Sequence, residues 1–138
     1  MKRVLVLASH HRMADGLRDS LLFVSNSEME VVALSAYVDN QPIDEAVKKL
    51  MEGFAPEDEV IILTDMTSGS VNQKFFPYVS RPHTHLVSGM NLPLAFTIAM
   101  EDADDYLSAE RMREIVEESR AEMKYVNDLA AEGDDEDE

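Results

Sequence analysis

Apolar residues along the chain fall into short continuous runs and longer runs spaced three and four apart, and the two kinds alternate. Residues 4–7 (VLVL) are β-branched and leucine positions without a polar break, the pattern of a strand covered on both faces. Ala14, Leu17, Leu21 and Leu22 recur at helical spacing, with Arg18 and Asp19 on the other side, which predicts a first helix over 12–24. Residues 29–37 (MEVVALSAY) read as a second strand. Asn40 and Pro42 then supply a cap and a proline suited to a first helical turn, and Asp44 and Glu45 suit the positive end of the helix dipole. Ile43, Val47, Leu50, Met51 and Phe54 form the apolar stripe of that helix, and Gly53 and Pro56 stop it.

The third strand is 59–64 (EVIILT), ending in Asp65 and the loop Met66, Thr67, Ser68, Gly69, Ser70. A helix over 71–80 follows, with Pro77 weakening its second half. Residues 83–88 (HTHLVS) make a fourth strand, and 89–93 (GMNLP) turn the chain into a helix through Ile98. Ser108 caps a long amphipathic helix whose inner face carries Met112, Ile115, Val116 and Ser119. Residues 123–126 (MKYV) fit either an extension of that helix or a short last strand. Strands alternating with helices give an α/β fold with a parallel sheet and crossover helices. No internal repeat or interior linker divides the chain, so a single domain over 1–130 is expected.

Composition narrows the setting. The 138 residues, 45% of them hydrophobic, suit one globular domain that buries roughly two thirds of its unfolded surface. There is no cysteine, so disulfides, thiolate metal sites and a thiol nucleophile are excluded. The apolar run at 4–8 is too short for a signal or membrane-spanning segment, and the protein reads as soluble, unexported and cytoplasmic. The formal charge is −16. Glu132, Asp134, Asp135, Glu136, Asp137 and Glu138 account for six of those charges and leave −10 for the remainder, a balance that argues against nucleic acid and anionic membrane as partners. An acidic run with no apolar residue does not repay its ordering entropy, so residues 131–138 are expected to form a disordered, solubilising tail.

Chemistry concentrates where strands end. In open parallel sheets, ligands sit beyond the carboxyl ends of strands at the point where strand order reverses. The first strand runs into Ser9, His10 and His11, and the third into Asp65 and the hydroxyl-rich loop Thr67, Ser68, Gly69 and Ser70. If these strands are neighbours, one histidine meets one carboxylate. The carboxylate then fixes the tautomer and leaves the other ring nitrogen as a nucleophile. Helix N-termini after both loops, the close approach allowed by Gly69 and the three hydroxyls suit an anion, so a phosphoryl group on imidazole is a natural occupant. A strand-end histidine is nonetheless more often structural. His83 and His85, two apart on a strand, face the same side. They lack further ligands unless His10 or Asp65 joins them, so a solvent-facing or rim position is expected and no metal site is assigned. The nine methionines fall mostly at apolar helix and strand positions and read as core filling.

Three blocks raise the weight of the functional reading. Residues 6–17 (VLASHHRMADGL), 62–73 (ILTDMTSGSVNQ) and 86–94 (LVSGMNLPL) together resemble, in order and spacing, the mannose-type EIIA component of the bacterial phosphoenolpyruvate:sugar phosphotransferase system (PTS). The resemblance extends to about residue 128. It implies a doubly wound three-layer α/β sandwich with a four-stranded parallel core, usually dimeric, with a fifth antiparallel strand at 123–126 exchanged between subunits. It implies that His10 takes a phosphoryl group from phospho-HPr and passes it to an EIIB component, through a covalent phosphohistidine and without a cofactor. Asp65 falls on the family's histidine-holding aspartate and Ser70 on the serine of the phosphate-side loop. The family's glycine after the active histidine is His11 here, and the first glycine of its Gly-Gly-Ser loop is Ser68. Other readings are the EIIA-like subunit of a dihydroxyacetone kinase, a regulatory module that senses phosphorylation without passing it on, and a metal-dependent hydrolase built on the four histidines and Asp65.

Overall fold

The continuous apolar run near the N-terminus becomes β1 (Arg3–His10), which pairs in parallel with β2 (Glu30–Ala36) on one side and β3 (Glu59–Thr64) on the other. A fourth strand, β4 (Thr84–Ser88), pairs in parallel with β3, and the sheet order is β2-β1-β3-β4. This computed structural model describes residues 1–136. Helices α1 (Met13–Ser25), α2 (Ile43–Glu52), α3 (Ser70–Phe75), α4 (Leu92–Ala99), α5 (Ala109–Ala121) and α6 (Val126–Glu136), with a 3₁₀ turn (Phe76–Ser80) after α3, complete the described elements.

Both faces of β1 are covered, which is why its sequence shows no polar alternation. Leu5 and Leu7 point to a core shared with Ala14 and Leu21 of α1, Ile98 of α4 and Ile115 of α5. Val4, Val6 and Ala8 point the other way, to Val47 and Met51 of α2 and Val71 and Phe75 of α3. Each fully buried leucine, isoleucine or valine is worth about 1.5–3 kcal/mol relative to exposure, so two opposed half-cores hold the register of β1. The chain winds from β1 outward to β2 and then crosses to β3 on the far side of β1. The order therefore reverses between β1 and β3, as a doubly wound sheet requires.

At the amino ends of these strands, Arg3 and Glu59 face each other as a buried ion pair, with side chains 2% and 0% exposed. The guanidinium also donates to the carbonyls of Asp102 and Asp105 at 2.8 Å each, and Glu59 Oε2 accepts from Leu107 N–H at 2.6 Å. The segment between α4 and α5 is thereby tied to the sheet.

Most expected elements are present, with four differences. Pro77 has no N–H to donate to an α-helical bond, and the helix expected over 71–80 ends at Phe75 and continues as a 3₁₀ turn, Phe76–Ser80. Pro42 occupies the cap position of α2 instead of its first turn, and Asn40 does not cap it. Residues 123–125 are neither helical nor paired as a strand, and α6 begins at Val126. The disordered tail expected from 131 does not begin there. Leu129, Ala130 and Ala131 are strong helix formers, and α6 runs through them to Glu136. The final two positions of the expected tail lie outside the described residues.

Candidate functional site

β1 and β3 are neighbours, so their carboxyl ends place His10 beside Asp65 at the switch point. His10 Nδ1 stands 2.7 Å from Asp65 Oδ2, and the same oxygen accepts the His10 backbone N–H at 2.8 Å. Asp65 Oδ1 accepts the Met66 N–H at 3.0 Å. Burial of this carboxyl, whose side chain is only 9% exposed, would raise its pKa, but the hydrogen bonds from the backbone and ring of His10 outweigh that and hold it below the ordinary value. An ionised carboxylate only accepts, so the ring proton of neutral His10 sits on Nδ1 and Nε2 carries the lone pair.

His10 continues the face of β1 that carries Val4, Val6 and Ala8, toward α3. There the first residue of α3, Ser70, brings its Oγ to 3.3 Å from Nε2. Gly69 lies close against the ring: a Cβ at this position would stand 2.8 Å from His10 Cε1. The glycine is needed for space, its φ of −78° being open to any residue. Ser9, on the opposite face, accepts the Ala14 N–H at 2.7 Å and donates to the His11 carbonyl at 3.0 Å, fixing the start of α1.

The two departures from the family pattern differ in their consequences. His11 has φ 56°, in the left-handed region where glycine is unstrained and an L-residue costs about 1–2 kcal/mol. Its N–H bonds to Ala36 O at 2.7 Å, and its side chain is exposed. Ser68 is not among the residues with positive φ and requires no glycine.

The structure brings His10, Asp65, Gly69 and Ser70 together. It directs Thr67 elsewhere: its hydroxyl bonds to that of Ser88 at the end of β4, and its carbonyl accepts from Asn72 at 3.1 Å. Ser68 is exposed on the same loop. His83 and His85 lie at the other end of β4 and do not join His10. His83, with φ 58°, leaves the strand's alternation and stacks on Tyr106 at 3.6 Å, and His85 Nε2 bonds to Leu107 O at 2.9 Å.

Sequence reasoning missed Tyr37. It follows β2, the neighbour of β1, and its hydroxyl lies 2.7 Å from Ser70 Oγ with its ring centroid 5.6 Å from that of His10. The available signal was position, since Tyr37 is at the carboxyl end of the strand next to β1.

A family model described as PTS system fructose IIA component (EIIA-man) matches residues 4–120. The chain belongs to the mannose-type EIIA family. No curated protein sequence matches it. A Klebsiella pneumoniae protein assigned to a phosphoenolpyruvate-dependent sugar PTS permease is 34% identical, with 94% of this chain and 95% of that one covered and a TM-score of 0.87. The mannose/sorbose-specific IIA subunit of Enterococcus faecalis is 19% identical over 90% and 94% of the two chains, with a TM-score of 0.68. The IIA protein associated with the fucose utilization operon of Streptococcus pneumoniae is 22% identical over 94% and 97%, with a TM-score of 0.76. These last two speak to the fold, which this EIIA shares. No helix among its described residues is long and apolar enough to cross a membrane.

Proposed function

We infer that this EIIA is a phosphocarrier that accepts a phosphoryl group from the phosphohistidine of HPr on His10 Nε2 and passes it to an EIIB component in the cytoplasm. The observation that carries this reading is the polarity of the His10 ring. Asp65 occupies Nδ1, and Nε2 is left as the lone pair, with a hydroxyl donor beside it.

In the transfer, the Nε2 lone pair attacks phosphorus in line as the N–P bond of the donor breaks and its electron pair returns to the donor imidazole. The proton on Nδ1 stays between the ring and Asp65, whose negative charge offsets the positive charge the ring acquires. A phosphoramidate is a reactive donor, so positioning and charge stabilisation supply the catalysis, and no cofactor or separate base is called upon. Ser70 Oγ, released from the lone pair, turns to a phosphoryl oxygen.

The same reading includes a homodimer. β4 is an open sheet edge, and a groove of about 1030 Å³ runs between it and α5. Met123 and Tyr125, in the unpaired segment after α5, are 89% and 68% exposed. An unpaired edge beside exposed apolar side chains suits strand exchange with a second copy.

The test is incubation with phosphoenolpyruvate, enzyme I and HPr, followed by peptide mapping of acid-labile phosphate. Label on the peptide containing His10, absent in His10→Ala, is expected. Label that persists in His10→Ala overturns the assignment.

A further inference from the structure

Ser70 has one hydroxyl hydrogen and two neighbours that bear on its direction, Nε2 of His10 and the hydroxyl of Tyr37. In the neutral ring, with Nδ1 donating to Asp65, Nε2 can only accept, and the Ser70 hydrogen is the donor that faces it. Ser70 Oγ must then accept from Tyr37, so every hydrogen bond in the row runs one way, from Tyr37 through Ser70 and His10 to Asp65. Tyr37 reaches this place from a backbone with φ 66°, a region that a bulky L-residue rarely adopts. Strained backbone of this kind persists where surrounding structure over-determines it and clusters at functional sites. The side chain itself is half exposed.

We propose that Tyr37 is a positioning residue for phosphoryl transfer: by donating to Ser70 Oγ it keeps the Ser70 hydrogen directed at Nε2 before transfer and at the phosphoryl oxygen afterwards. This rests on the phosphocarrier reading of His10. The phenol occupies the Ser70 lone pair that would otherwise be satisfied by water, and it holds the hydroxyl in one rotamer. Donation into Ser70 also polarises its O–H, so the bond Ser70 gives to the phosphoryl oxygen is strengthened. No proton leaves the row during transfer. The Ser70 hydrogen changes acceptor from Nε2 to phosphoryl oxygen as the N–P bond forms.

The test uses Tyr37→Phe, which keeps the ring and deletes the hydroxyl, together with Ser70→Ala and the double variant. With ring-¹⁵N-labelled histidine, the Nε2 resonance of unphosphorylated protein reads the bond from Ser70 directly. It is expected to move in Tyr37→Phe in the same direction as in Ser70→Ala and by less. Phosphoramidate, a small donor whose P–N bond breaks to release ammonia, then reads transfer without a docking partner. Labelling of His10 is expected to slow about three- to tenfold in Tyr37→Phe, the size of one neutral hydrogen bond, with no further loss in the Ser70→Ala background.

An unmoved Nε2 resonance overturns the proposal, as does equal slowing in the presence and absence of Ser70. Slowing seen with phospho-HPr but not with phosphoramidate also overturns it, because Tyr37 would then be a docking contact. If wild-type protein takes phosphate from neither donor, the phosphocarrier reading fails, and the Nε2 resonance alone decides whether Tyr37 orients Ser70.

Discussion

Gly69 lies against the edge of the His10 ring, so that a single methyl group on it would approach His10 Cε1 to 2.8 Å. A contact that short forces a shift, and the imidazole, with its side chain 35% exposed, is the group with room to move. Gly69→Ala is expected to leave the sheet folded and to reduce the rate of His10 labelling by up to about 100-fold, the scale of a 1 Å misplacement of a reacting group. Labelling kinetics beside circular dichroism check this, and a wild-type rate would show that the ring tolerates the contact.

Asp65 sets the ring tautomer through a charged hydrogen bond. Asp65→Asn keeps the shape, removes the charge and should slow labelling about 10- to 100-fold, the worth of one hydrogen bond to an ionised partner. It also carries a pH signature. The folded carboxyl titrates below its ordinary value of 3.8 because the His10 bonds overcome the opposing effect of burial. The stability it contributes is therefore fully present above that value and is lost as pH falls through the lower, folded one. Urea midpoints of wild type and Asp65→Asn, measured against pH, should differ at neutrality and draw together in acid below about pH 4.

His11 occupies a left-handed backbone position without a structural reason for a side chain. His11→Gly is expected to raise stability by about 0.5–1 kcal/mol, the relief of αL strain less the entropy that glycine loses on folding. Denaturant unfolding reads the gain. Labelling of His10 by phosphoramidate should be unchanged, because the His11 side chain makes no bond to the site, and a loss of rate would assign the second imidazole a part in the chemistry.

The buried pair at the opposite end of the strands acts on the fold alone. Glu59→Gln leaves the Arg3 guanidinium without its counter-charge and should destabilise by about 3–5 kcal/mol, read as a fall in the urea midpoint. The folded fraction should accept phosphate at the wild-type rate, since Arg3 and His10 stand at opposite ends of β1.

Much of this was legible in the sequence because it follows from local pattern. The third strand, residues 59–64, has the bounds expected of it. Ser108 caps α5 by accepting the Arg111 N–H at 3.0 Å. The meeting of His10 with Asp65 depended on one topological condition, adjacency of the first and third strands, which the sheet satisfies. What escaped has physical reasons. Left-handed backbone at Tyr37 and His83 leaves no compositional trace when the residue is not glycine, so neither the Tyr37–Ser70 bond nor the turn of His83 onto Tyr106 was visible. Segment 123–125 carries strand-like residues but pairs with no strand of the sheet. Thr67 shares the hydroxyl character of Ser70, and only the turn geometry separates the one that faces the imidazole from the one that faces Ser88.

The alternation along β1 decides which of the two adjacent histidines faces Asp65. Even-numbered residues from Val4 to His10 look toward α3, and Leu5, Leu7 and Ser9 look toward α1. Deleting or inserting one residue inside the strand would exchange the two half-cores and at the same stroke aim a serine or the second imidazole at the carboxylate. The side chain that β1 presents to Asp65 is thus set by hydrocarbon packing along its length: it cannot shift by one position without exchanging the two half-cores.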